Sequence, residues 1–477
     1  MRTVFKLSRL ATTVSGINRL PGPTSHEPCL LSASTLPLPR RLVHDANGNG
    51  NRINGLNSNP VVLQMINYAL SHARSQKSDE SYSQGMLVLE QCLSTQPSDG
   101  QLAESWRGIS LLAMSTLLYE SGNYVEAIEK LQKVENFKNS ILGVRGQFCL
   151  LKSFAFLFQF ILFGFVMKRL FTRGSLLDFV VVAAMEALAG LYLQLGQDDT
   201  SSVVADKCLQ LCEKHKPENY KTYGAVNSRA NAVKGLVELA HGNLESAESF
   251  FKGLQEEEGC TGSAALSYGE YLHATRNFLL AKKFYQKVIE VLAEQKDFSD
   301  MNTLGSCNMA LEEVALAATF ALGQLEAHMG NFGDAEEILT RTLTKTEEVF
   351  GSHHPKVGVV LTCLALMFRN KAMQEHSSAL LIQEGLYRRA LEFLKAPPLE
   401  SEGVETKVDR TDIVALARGG YAEALSVQQN RKDEGERMKR WAEAAWRNRR
   451  VSLAEALNFS EPSNKPLVID ARTSRTM

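Results

Sequence analysis

The chain's 477 residues suffice for two or three globular domains or for one extended array, and either can bury a sizeable core. With 52 Lys and Arg against 53 Asp and Glu, the formal charge of −1 excludes a chain whose main business is neutralising phosphates. Charged residues at 22% and hydrophobic ones at 44% exclude wholesale disorder and a polytopic membrane protein.

Residues 1–44 carry Arg2, Lys6, Arg9, Arg19, Arg40 and Arg41 against Glu27 alone. On a helical wheel Val4, Leu7, Leu10 and Ala11 gather opposite Arg2, Lys6 and Arg9, and no continuous apolar core follows. An amphipathic, acid-poor start of this kind reads as an organelle transit peptide, mitochondrial in type. A plastid address and a basic tail on a cytoplasmic chain are the alternatives. Without this segment the remainder carries −6. Residues 45–60 are rich in Asn and Gly with no apolar period, and read as a flexible linker.

From residue 61 to 447 one signal recurs: a turn holding Gly or Asn, a small residue about five positions on, then an apolar stripe. It stands as Gly122-Asn123 with Ala127, weakly as Gly196-Gln197, then as Gly242-Asn243 with Ala247, Arg276-Asn277 with Ala281, and Gly330-Asn331 with Ala335. Gly235, Gly269 and Gly323 fall in the preceding helices where a partner would cross. Leu131, Phe251, Tyr285 and Leu339 place a large apolar group one turn after each alanine. These residues resemble tetratricopeptide repeats. The resemblance implies an all-α fold: a right-handed α-solenoid of antiparallel helix hairpins stacked into a superhelix. Gly351-Ser352-His353-His354-Pro355 and Leu386-Tyr387-Arg388-Arg389-Ala390-Leu391 are similar to the longer repeats of kinesin light chains and nephrocystin-like proteins. The two histidines are expected to serve the turn and the helix cap. Thr411 to Asn448 is expected to cap the array, and 448–477 to form a tail.

Residues 148–179 interrupt the pattern, with nine of the chain's 22 phenylalanines. Gly122 and Gly196 are 74 residues apart, and taking out this 32-residue block restores a 42-residue period. Three readings stand: an insertion such as a translated intron, a membrane-associating segment, and an aromatic core helix.

The eight cysteines lack the regular spacing of a secreted disulfide framework, and Cys208 and Cys212 have no further ligands nearby in sequence for zinc. No phosphate loop, dinucleotide fingerprint, HExxH or GxSxG occurs. The expectation is a chain without catalytic residues, metal, cofactor or small-molecule substrate. In the repeat phase the concave groove is lined by Leu112, Thr116, Tyr119, Glu186, Arg229, Leu236, Glu270, His273, Phe320 and Gln324, a mixture suited to an extended peptide or partner helix. Leu112 and Thr116 stand where carboxylate-clamp co-chaperones use Lys and Asn, which disfavours docking of an acidic chaperone tail. The implied function is a protein-binding scaffold that supports complex assembly in an organelle. The alternatives are a cytosolic kinesin-light-chain-like cargo adaptor and a helical-repeat RNA binder.

Overall fold

The protein is described by a computed structural model over residues 59–96, 101–151, 160–213, 221–254, 260, 262–294, 304–399, 410–458 and 465–477. The expected leader at 1–44 and the linker up to residue 58 lie outside the described residues, as do residues 152–159 of the Phe-rich block.

Helices follow in order as α1 (Pro60–Gln76), α2 (Asp79–Ser94), α3 (Gln101–Glu120), α4 (Tyr124–Leu151), α5 (Phe160–Gln194), α6 (Asp198–Glu213), α7 (Lys221–Ala240) and α8 (Leu244–Phe251). They continue as α9 (Gly262–Ala274), α10 (Phe278–Glu294), α11 (Leu311–His328), α12 (Phe332–Phe350), α13 (Pro355–Gln374), α14 (Leu380–Phe393), α15 (Thr411–Ser426), α16 (Lys432–Ala445) and α17 (Leu453–Leu457). The strands β1 (Ile469–Asp470) and β2 (Arg475–Thr476) close the order. Among the described residues, α1 to α16 pair successively into eight antiparallel hairpins.

The start signals are local. Asn59 caps α1 by accepting from the Val62 amide, with Pro60 in the first turn. Ser78 and Ser81 exchange bonds as a capping box on α2. His354 accepts from the Lys356 amide ahead of α13, with Pro355 at the first position, so this histidine is a cap.

The stop signals explain the recurring glycine. Gly122, Gly196, Gly242 and Gly330 have φ of 85°, 70°, 81° and 83°, a left-handed conformation that glycine adopts without steric cost. The residue after each turns its amide back to the helix, as Asn123 does to the Leu118 carbonyl at 2.8 Å and Asn331 to that of Glu326 at 2.9 Å. Two carbonyls that the helix leaves unpaired are thereby satisfied. Arg276 makes the same turn at φ 67°, with a side chain that the conformation disfavours.

Within each hairpin a glycine meets a large side chain. A Cβ on Gly235 would lie 2.6 Å from Phe251, one on Gly269 2.7 Å from Tyr285, and one on Gly323 2.8 Å from Leu339. Phe251, Tyr285 and Leu339 are buried because those three positions have no side chain. The first helices α3, α5, α7, α9, α11, α13 and α15 also pack on one another in order, making an inner layer with the second helices outside. One stretch among the described residues, Leu176–Gln194 of α5, is long and apolar enough to cross a membrane, yet 94% of it is buried in this inner layer. Phe179, the last residue of the Phe-rich block, is part of that core.

The array curves until its first hairpins meet its later ones. Arg74 of α1 pairs with Glu312 of α11 at 3.1 Å, and Lys356 of α13 lies 5.5 Å over the Tyr119 ring of α3. Residues 465–477, expected as a tail, do not stay in solvent. They fold into a β-hairpin in which Ile469 faces Thr476 and Asp470 faces Arg475, buried against the inner layer. The aliphatic run Leu467-Val468-Ile469, together with Met477, gives this segment an apolar face worth burying.

Candidate binding groove

All ten residues expected to line the groove are on inner helices, and all ten are buried. Two segments of the same chain cover much of the wall they form: Leu304–Ala310, which contains the 3-10 turn Cys307–Met309, and the β-hairpin.

The first segment sits against α3, α5 and α7. Ser306 donates to the Leu112 carbonyl at 2.9 Å and lies 3.1 Å from the Thr116 hydroxyl, which also accepts from the Cys307 amide at 3.2 Å. Arg229 donates to the Leu304 carbonyl at 2.8 Å and pairs with Glu186, which in turn accepts from Ser263. Gly190 of α5 leaves the gap that this turn fills, since a Cβ there would lie 2.5 Å from Met309 and 2.8 Å from Asn308.

The β-hairpin sits against α5, α6, α9, α11 and α15. Gln324 grips strand β1 by its backbone, accepting from the Ile469 amide at 2.9 Å and donating to its carbonyl at 2.8 Å. Arg472 at the turn is fully buried. It pairs with Glu270 and with Asp470 at 3.0 Å, and donates to Ser267 at 3.2 Å. Asp470 also accepts from the Arg472 amide at 2.8 Å and the Thr473 hydroxyl at 3.0 Å, which shapes the turn from within. Arg475 reaches Asp198 at 2.8 Å and Asp412 at 3.4 Å. Asp412 accepts from the Thr476 amide at 2.7 Å and its hydroxyl at 2.8 Å.

The electrostatics follow from dryness. Burial pushes the Glu270 carboxyl well above its ordinary range, and Arg472 only partly opposes this. Burial also works against the charge on Arg472, but Asp470 and Glu270 outweigh it and hold the guanidinium protonated. The Glu270 carboxyl therefore keeps its proton to higher pH than an ordinary glutamate does.

His273 and Phe320 belong to the wall in a different way. His273 lies between the Tyr285 hydroxyl at 3.3 Å and His328 at 2.7 Å, and burial drives it well below its ordinary value. Burial, then Arg450 and Arg276, lower His328 to about 4. Phe320 is a core residue of α11, Leu236 a core residue of α7, and the Tyr119 ring lies 5.6 Å from that of Tyr124, tilted by 45°.

Residues 321–356, spanning the end of α11, the Gly330 turn and α12, match the family model of the tetratricopeptide repeat. The chain carries a tetratricopeptide repeat within its array of helix hairpins. Such an array is a protein-interaction scaffold. The tetratricopeptide chain is also similar to the crystal structure of the yeast Tom70, at 12% identity over 82% of this chain and 93% of that one. The TM-score of that overlay is 0.26, too low to carry an argument. No curated protein matches the chain.

Several groove residues of this tetratricopeptide protein are silent in the repeat phase. Asp198 and Asp412 stand at the starts of α6 and α15, outside the positions that line a repeat wall, and the β-hairpin gives them a partner in Arg475. Arg472 lies in what reads as a polar tail, although the aliphatic run before it was a signal that the segment packs. Among the described residues no three His, Cys, Asp or Glu side chains come together as a metal set.

Proposed function

We propose that this tetratricopeptide protein is a non-catalytic scaffold of an organelle, the mitochondrion, that supports complex assembly by holding a segment of a protein partner on its inner wall. The observation that carries the reading is that this wall holds a polypeptide segment, residues 465–477, through backbone bonds from Gln324 and Asp412. Recognition through the main chain, with pockets for alternate side chains, is how extended peptides are bound. The organellar address rests on the six basic residues of 1–44 against one acidic residue. The ten wall residues are proposed as the groove, with Glu270 and Gln324 its polar anchors.

The test is the location of a carboxyl-terminal fluorescent fusion, with and without residues 1–44. The reading expects the full chain in mitochondria and the shortened one in the cytosol. A cytosolic full-length chain overturns the address and favours the cargo-adaptor alternative. Proximity labelling from the same fusion reads the neighbours, and the scaffold reading expects subunits of one assembly among them.

A further inference from the structure

The β-hairpin and the wall divide their charges unequally. The wall supplies carboxyls, namely Glu270 on α9, Asp198 on α6 and Asp412 on α15, and the hairpin supplies the guanidinium groups of Arg472 and Arg475. The wall also supplies the main-chain partners, since Gln324 binds both polar groups of Ile469 and Asp412 takes the Thr476 amide. The hairpin adds apolar Leu467, Val468, Ile469 and Met477, all buried. Aliphatic residues in a strand, a turn carrying one arginine and a second arginine three residues on are therefore what this surface selects. The fit is imperfect: among the described residues the Ser474 hydroxyl is buried without a hydrogen-bond partner.

We propose that residues 466–477 are a tethered ligand, and that the groove's partner in trans is a protein segment of the same chemistry, an arginine-bearing β-turn with aliphatic flanks, which enters by replacing the hairpin. The physical argument is one of concentration. A covalently linked segment faces its own groove at an effective concentration of about millimolar, so a free segment of equal intrinsic affinity is excluded. A partner competes when it seats the same chemistry without a stranded hydroxyl such as that of Ser474, or when it brings several segments at once. The inference rests on the scaffold reading and specifies what the scaffold holds.

The experiment uses the full chain and one probe, a fluorescent peptide of residues 465–477, with a control peptide in which both arginines are alanine. Arg475→Ala removes the pairs with Asp198 and Asp412 while leaving Arg472 in place. Thr476→Val removes one hydroxyl and serves if the first variant does not fold. The expected result is that the amides of 467–477 exchange at least tenfold faster in the variant. The variant should also bind the probe at least tenfold more tightly than the parent, and the control peptide should not bind. Two results overturn the inference: a variant whose hairpin opens tenfold faster yet takes up no probe, or a hairpin that exchanges only with global unfolding in parent and variants alike. If proximity labelling returns an assembly while the probe fails, this inference falls and the scaffold reading stands.

Discussion

The side-chain amide of Gln324 stands in for a missing strand beside Ile469, giving one bond to its carbonyl at 2.8 Å and taking one from its amide at 2.9 Å. Gln324→Leu keeps the apolar bulk and orphans both groups in a buried place. Each orphaned group costs about 1–3 kcal/mol, unless the hairpin leaves the wall first. The urea midpoint should fall, and the Ile469 amide should lose its protection from exchange. An unchanged amide would mean that the bonds are incidental.

Arg472 shares one dry site with Asp470 and Glu270. Arg472→Met removes the cation and leaves buried carboxyls, a change that costs about 3–5 kcal/mol in such sites. Combining it with Glu270→Gln should cost less than the sum of the two single changes, because the second change removes the group that the first one strands. A double-mutant cycle in chemical unfolding reads the difference, and strict additivity would show that the two side chains do not interact.

His273 and His328 predict acid sensitivity. Both are driven below the free value of 6.5 by burial, His328 to about 4, so the folded chain holds them neutral. The sign is that of a depressed group: its stabilisation is full above about pH 6.5 and is lost as pH falls towards 4. The hydrogen-bond chain agrees, for if Tyr285 donates to His273 and His273 to His328, each facing ring nitrogen that accepts is that of a neutral imidazole. His328→Gln should flatten the dependence of stability on pH between 6 and 4.5 by about 1.4 kcal/mol per pH unit. Parallel slopes in parent and variant would assign the acid transition elsewhere.

Two glycines of the same kind in sequence should respond in opposite directions. Gly269→Ala places a methyl 2.7 Å from the Tyr285 ring, and overpacking of this type costs about 1–3 kcal/mol. Gly385→Ala on α14 meets nothing within 4 Å and should stabilise by about 0.5–1 kcal/mol through helix propensity. Thermal unfolding of both variants settles it, and a stabilised Gly269→Ala would refute the close packing of α9 on α10.

Arg276 occupies the turn position that glycine holds elsewhere in the array, at φ 67°. Arg276→Gly relieves a left-handed side chain and should raise stability, against an unfolded-state entropy loss of about 0.5–1 kcal/mol. A small net gain in the unfolding midpoint is expected, and a marked loss would give the Arg276 side chain a structural role, such as its place 5.9 Å over Phe278.

The repeat architecture was legible because it is written locally. Gly235 and the Phe251 that fills its place are only sixteen residues apart, with the Gly242 turn and Ala247 between them, so spacing alone reveals the hairpin. The first hairpin was harder to see. It turns at Lys77 with φ 51°, where a lysine hides the left-handed signal. Thr116, Glu270 and Gln324 lie on inner helices as the repeat phase places them, but what packs against them was not legible. What lies against Glu270 is set by a residue 202 positions away, and no helical period reports a partner at that distance. The pair His353-His354 sits at a turn, and its second member accepts from the Lys356 amide with its ring nitrogen, as the Gly-x-x-His-Pro pattern suggested.

A solenoid whose repeats touch only their neighbours unfolds from its ends, each unit nearly on its own account. Here Arg475 joins Asp198 at the start of α6 to Asp412 at the start of α15, and Arg74 joins the first hairpin to α11. The stack thus has cross-links that bypass the repeats between them. Fraying at either end strains a contact with a hairpin several repeats away, so heating should produce one sharp transition rather than a staircase. Repeats cannot be trimmed from this chain one at a time without releasing the loop that holds the rest.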